Sequence, residues 1–125
     1  MRFFRVFSWK SDTRLQVGRA KYMPAGLVNF AEYESGETVI EIVDKKGTQL
    51  YVATVALVPY GAPHPGENCV WLKGWSENEG VPEALAGAGI VILTGHTCSS
   101  DLVTAQHALL TQAARVQRDR QAAHR

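Results

Sequence analysis

The clearest hydrophobic pattern lies between residues 27 and 58, where three runs rich in β-branched and aromatic residues are separated by glycine-bearing turns. Leu27–Glu34 and Glu37–Asp44 flank Ser35-Gly36. Glycine accepts a positive φ without a Cβ clash, so this spacing predicts a hairpin. Lys45-Lys46-Gly47 then leads into Thr48–Val58, and a three-residue loop ending in glycine suits a second hairpin with a bulge. The third run is apolar on both faces, with Leu50, Val52, Ala56 and Val58 on one and Tyr51, Ala53, Val55 and Leu57 on the other. Such a run predicts a central strand covered on both sides, and a helix is the usual cover.

Outside this block the signals are shorter. Phe3–Trp9 reads as a strand, while Lys10–Pro24 has no clean period and reads as loop or edge structure. Pro59 ends the third run, and the proline- and glycine-rich stretch after it is a turn-rich connection. Cys69–Trp75 reads as a strand with Val70 and Leu72 on one face and Trp71, Lys73 and Trp75 on the other. Ser76–Ala88 is the expected covering helix. Ser76 and Glu79 have capping-box spacing, but a helix starting there would put Pro82 beyond the first turn, where its ring clashes with a preceding carbonyl. A start at Asn78 or Gly80 removes the conflict and is preferred. Ala84, Leu85 and Ala88 would then face the sheet, with Gly89 as the residue just past the helix end. Ile90–Leu93 is a short strand or extended connection. Residues 101–116 fit both a strand period (Val103, Ala105, His107, Leu109) and a helix period (Leu102, Ala105, Leu109, Ala113, Val116). Residues 117–125 are polar and read as a frayed tail.

These elements predict an α+β fold in one domain over residues 1–125: a mostly antiparallel sheet of four to six strands, one short helix packed on it and a C-terminal helix as an option. A chain of 125 residues can bury a core without metals or disulfides. Two cysteines, Cys69 and Cys98, make no disulfide framework and read as reduced thiols in a cytoplasmic protein. The N-terminus lacks the apolar run of a signal peptide, and no stretch is long and apolar enough to span a membrane. No internal repeat is present.

Charge changes the picture more than composition does. The net charge of +1 hides a basic segment over residues 1–21 (+5), an acidic one over 22–101 (−7) and a basic end over 102–125 (+3).

Within Val70–Val91, the residues Lys73, Trp75, Ser76, Glu77, Asn78, Glu79, Gly80, Ala84, Leu85, Ala88, Gly89, Ile90 and Val91 form a Lys-x-Trp-Ser-Glu-Asn-Glu-Gly strand-turn-helix pattern followed by Ala-Gly-Ile-Val. This stretch resembles a motif in a family of small uncharacterised proteins from plasmids, phages and bacterial genomes. Thr94-Gly95 and a later apolar strand also fit that pattern, which favours strand over Leu102–Ala108; Pro82 departs from it. The resemblance is specific over about 25 residues. It implies an accessory protein of mobile elements, a kind of protein that often acts by binding a host or element protein, and it carries over no established activity.

Five residues stand out as a protein-binding candidate: Trp71, Trp75, Glu77, Asn78 and Glu79. Tryptophan is enriched at interface hot spots, and carboxylates in a turn can meet a basic partner. The plainer reading is that the tryptophans are core and that Ser76, Asn78 and Glu79 cap the helix. The expected function is therefore a non-enzymatic interaction domain, a mobile-element accessory or counter-defence protein of the anti-CRISPR or anti-restriction kind. Its partner would be a host or element protein with a basic surface. One alternative is a nucleic-acid binder using Arg2, Arg5, Lys10, Arg14, Arg115, Arg118 and Arg120, with salt-dependent phosphate contacts. Another is a small enzyme using Cys98 and His96, which would need a base within hydrogen-bond reach of the thiol. No phosphate loop, dinucleotide fingerprint or paired metal-ligand spacing occurs, so no cofactor and no metal are expected.

Overall fold

Alternating strands and glycine turns build the first sheet. The structure is a computed structural model that describes residues 14–100 and 103–123, together with the backbone of residues 3–5. Among these, strands β1 (Phe3–Arg5), β2 (Gln16–Val17), β3 (Gly26–Tyr33), β4 (Thr38–Val43) and β5 (Gln49–Val52) form one antiparallel sheet. β3 and β4 pair from Leu27↔Val43 to Glu32↔Thr38, and the hairpin turns through Gly36 at φ 88°. The second hairpin turns through Gly47 at φ 84°, with a bulge between Ile42 and Val43. Both turns are where the sequence predicts them. Residues 6–9 of the expected N-terminal strand lie outside the described residues.

The third apolar run is one strand in the sequence reading and two pieces in the structure. β5 stops at Val52 because Thr54 intervenes: its hydroxyl accepts the Ile40 N–H at 3.1 Å, and its carbonyl accepts the Tyr33 hydroxyl at 3.0 Å. Residues 53–55 then pair with strand β6 (Cys69–Leu72), through Val55 N–H to the Trp71 carbonyl and Lys73 N–H to the Ala53 carbonyl. The two sheets are thereby joined through this segment. The chain continues into a 3-10 turn at Val58–Tyr60, whose backbone N–H of Val58 donates to the buried carboxylate of Glu37 at 3.2 Å.

The second sheet runs β6, β8 (Val103–Leu110), β7 (Val91–Ser100), all antiparallel. Among the described residues the five-stranded first sheet fits the expected antiparallel sheet of four to six strands; the three-stranded second sheet is additional, because the short apolar run at residue 90 extends into a ten-residue strand that pairs with β8. Helix α1 (Val81–Gly87) starts after Gly80, as the later start requires, and Pro82 sits in its first turn. No side chain caps it, so the Ser76–Glu79 capping box does not form. Its end follows the expected glycine rule. Gly89 (φ 74°) donates to the Ala86 carbonyl and Ile90 N–H to the Leu85 carbonyl, which closes the helix and stacks Ile90 on Leu85. Leu85 is buried, Ala84 is partly buried, and Ala88 is exposed, contrary to expectation, because it lies past the last helical turn.

The ambiguous stretch 101–116 resolves into both readings in succession. β8 is strand; then Thr111, whose hydroxyl accepts the Ala114 N–H, caps helix α2 (Gln112–Ala122). Residues 117–122 continue this helix, which corrects the expectation of a frayed tail from residue 117. The reason lies in two glutamines. β3 is covered along one side by β4, but on its other side β2 reaches only Gly26 and Leu27 and β1 only Ala31–Tyr33. In the gap, Gln117 Nε2 donates to the Val28 carbonyl at 2.7 Å and Gln121 Oε1 accepts the Phe30 N–H at 2.9 Å. Gln117 Oε1 also accepts the Leu15 N–H at 2.7 Å. Gln121 donates in turn to Asn29 Oδ1, and Asn29 Nδ2 donates to Glu41 at 2.8 Å.

The main core lies between the sheets. Val28, Phe30, Ile40, Ile42 and Tyr51 of the first meet Val70, Leu72, Ala108 and Leu110 of the second, closed by Leu85 of α1 and Ala114 of α2. Replacing Gln117 by Ala leaves the Val28 carbonyl and Leu15 N–H without their partner. The expected loss is about 1–3 kcal/mol. Urea denaturation measures it, with Gln112→Ala on the exposed face of the same helix as a control that shifts stability by less than about 0.5 kcal/mol.

Candidate functional site

The segment after β6 leaves the sheet where Gly74 breaks the strand, and Ser76–Asn78 forms a single 3-10 turn before α1. Ser76 sits at φ 58°, a left-handed conformation unusual for a residue with a Cβ. The turn is fixed from inside by Asn78, which is buried and donates through Nδ2 to the Val52 carbonyl at 2.9 Å. That bond satisfies an outward carbonyl of β5, whose outer edge borders an open cleft of about 570 Å³. Tyr51, Val52 and Thr54 line one wall of the cleft, and Lys73, Glu77 and Asn78 the other.

Glu77 and Glu79 are exposed at the mouth of this segment, and each has a lysine. Lys73 Nζ lies 2.8 Å from Glu77 Oε1, one helical turn's spacing away in sequence, and also sits 6.0 Å from the Trp75 ring centre. Lys21 Nζ lies 3.4 Å from Glu79 Oε1, with both side chains more than half exposed. The Lys73 ammonium, with the Ser76 hydroxyl, holds the Glu77 carboxyl at about 2, well below its ordinary 4.5. At the cleft wall, the Tyr51 hydroxyl is buried with no hydrogen-bond partner among the described residues, and burial pushes it up to about 12. Tyr33 is also raised by burial, and its hydroxyl is held by Thr54.

Of the five protein-binding candidates, the structure therefore leaves three on the surface: Trp75, Glu77 and Glu79. Trp71 is only 5% exposed, and its indole N–H donates to the Pro63 carbonyl at 3.1 Å. It packs with Leu57 and Ala105 as core, which removes it from any contact surface. Asn78 is likewise structural. Tyr51 and Lys21 are the members that the sequence reading missed, while Lys73 was already placed on the Trp71–Trp75 face. Tyr51 carries only an alternation signal, and Lys21 is 58 residues from its partner.

Among the described nucleic-acid candidates, Arg115, Arg118 and Arg120 share helix α2, and Arg14 lies just before β2. Arg14 is 7% exposed, with burial lowering its pKa, so it is not a surface phosphate contact. Arg118 pairs with Asp119 at 2.9 Å, Arg115 is half-buried, and Arg120 is exposed on α2. Arg2 and Lys10, and the side chain of Arg5, lie outside the described residues.

The enzyme candidates Cys98 and His96 both lie on β7. Cys98 packs against the Trp71 cluster and makes no hydrogen bond to His96 among the described residues. The bulge between Leu93 and Thr97 instead turns His96 toward His107, with ring centres 5.9 Å apart. His107 is held between Thr94 Oγ1 and the Pro65 carbonyl, each at 2.7 Å. Because a carbonyl only accepts, Nε2 carries the proton and Nδ1 accepts from Thr94 in the neutral ring. No group of three or more metal-ligating side chains occurs among the described residues, and none of their helices is long and apolar enough to cross a membrane.

No protein family, curated protein or solved structure matches the chain.

The Glu77 pairing predicts a pH signature. A carboxyl whose folded pKa is depressed contributes stability above its unfolded value near 4.5, and that contribution is lost as pH falls toward 2. By side-chain NMR titration Glu77 is expected to titrate near 2, and Lys73→Met should return it toward 4.5. A Glu77 titration unchanged by that substitution contradicts the pairing.

Proposed function

We propose that the chain is a non-enzymatic protein-interaction module that binds a basic partner through Trp75, Glu77 and Glu79. The observation that carries this reading is the exposed pair of carboxylates beside an open cleft, each paired with a surface lysine. Exposed lysine–carboxylate pairs contribute about 0–1 kcal/mol, so they exchange readily for a better cation. An arginine on a partner forms two parallel hydrogen bonds to a carboxylate where lysine offers a point charge. Trp75, partly buried against the Trp71 cluster, adds the exposed part of an aromatic face on which a guanidinium can stack. Opposite charge would steer the encounter and make it sensitive to salt. The acidic middle of the chain, −7 over residues 22–101, supports the same partner chemistry.

The resemblance of Val70–Val91 to small plasmid, phage and bacterial proteins supports the biological setting: a cytoplasmic accessory protein of a mobile element, acting against a host nucleic-acid-handling complex in the anti-CRISPR or anti-restriction manner. Burial of Arg14 weighs against the alternative of a phosphate-binding surface built on the basic ends.

Capture from nuclease-treated host lysate tests the reading. A single stoichiometric protein, released at high salt and lost from the Glu77→Lys/Glu79→Lys double variant by at least about tenfold, is the expected result. Equal recovery by wild type and variant, or recovery of nucleic acid alone when nuclease is omitted, contradicts it.

A further inference from the structure

We propose that the outer edge of β7 is where two copies of this chain pair, about a two-fold axis centred on Ile92. β7 ends the strand order of the second sheet, and among the described residues no strand covers its outer side. Its backbone register is set by its neighbours. Thr111 N–H donates to the Ile90 carbonyl, so Ile90 faces β8, and Leu110 N–H, opposite Val91, points the other way to the Asn68 carbonyl. Antiparallel strands alternate in this respect. Val91 and Leu93 therefore direct their N–H and C=O groups away from β8, into the open edge.

Edge strands normally carry charges, prolines or short lengths that deter pairing with another chain. Val91–Ser100 has ten residues and contains no Asp, Glu, Lys, Arg or Pro. What it has is one bulge, between Leu93 and Thr97, with Gly95 at φ 87°. The bulge breaks the edge after Leu93 and leaves Val91–Leu93 as the regular arm available for pairing.

The side chains favour a second copy over an unrelated segment. On the outer face of this sheet Cys69, Leu109 and Ile92 form one cross-strand row, with Leu109 36% and Ile92 55% exposed. The row runs to the edge and stops. In an antiparallel pairing centred on Ile92, Val91 of each copy exchanges both backbone bonds with Leu93 of the other. Ile92 then meets its own counterpart in the close, non-hydrogen-bonded position, with Cα atoms about 4.5 Å apart. The apolar row continues unbroken across the axis, and no like charge is brought together. Because both copies use the same edge, the assembly closes at two. So short a contact is at the small end of specific interfaces, and the association is correspondingly concentration-dependent.

Sedimentation equilibrium of the full chain tests this from micromolar to millimolar concentration. The expected result is a mass rising from 13.7 kDa toward twice that and no further. Ile92→Lys, at a solvent-facing site that the fold tolerates, should stay at 13.7 kDa throughout, while Thr97→Lys, beyond the bulge, should associate as wild type does. Amide exchange gives an independent readout. The Val91 and Leu93 amides should slow as concentration rises, and the Ile92 amide, already bonded to β8, should not change. A wild-type mass fixed at one copy, growth beyond two copies, or association retained in Ile92→Lys overturns the proposal.

Discussion

Among the described residues, strand β3 has no strand neighbour on its outer side between the ends of β2 and β1, and much of the fold depends on how that gap is filled. The outward backbone groups of Val28 and Phe30 would otherwise lack partners, at a cost of about 1–3 kcal/mol for each buried group. Leu15 covers one of these groups by accepting the Val28 N–H, and the side chains of Gln117 and Gln121 cover the Val28 carbonyl and the Phe30 N–H. Spaced by four residues, the two glutamines project from one face of α2. Their amides take the place of a missing strand. The same contacts hold α2 against the sheet, position Ala114 in the core and anchor the incoming chain at Leu15.

That device explains the largest misreading of the sequence. A helix is recognised by an apolar stripe, and the buried stripe of α2 is Ala114, Gln117 and Gln121, two-thirds of it polar. Polarity alone makes such a segment look like a tail. The hairpins at Gly36 and Gly47, the late start of α1 at Gly80 and its stop at Gly89 were legible because each depends on local backbone chemistry. The break after Val52 was not, since it is made by Thr54 bonding to Ile40 and Tyr33, 14 and 21 residues away. The site was half legible for the same reason. Period-2 alternation put Trp71, Lys73 and Trp75 on one face correctly, but it could not say that the turn-rich stretch around Pro63 would fold over Trp71 and leave Trp75 at the surface.

The candidate surface and the fold are linked through Asn78. It fills one outward bond of β5, as the glutamines do for β3, and in doing so it fixes the turn that presents Glu77 and Glu79. Side-chain amides thus complete the first sheet on both of its sides. At the far end of the second sheet no such cover is present among the described residues, and β7 offers bare backbone and an exposed isoleucine. The molecule is therefore asymmetric: amide-closed around the first sheet and open at β7, with an acidic turn between.

Amide hydrogen exchange at Phe30 tests this account most directly, because its N–H is bonded to the Gln121 side chain and to no strand. If side-chain amides close the sheet, Phe30 exchanges as slowly as Ile40 and Ile42 in the neighbouring strand, and Gln121→Ala accelerates Phe30 far more than either. If Phe30 in the wild-type chain exchanges at the rate of an open strand edge, the central claim fails.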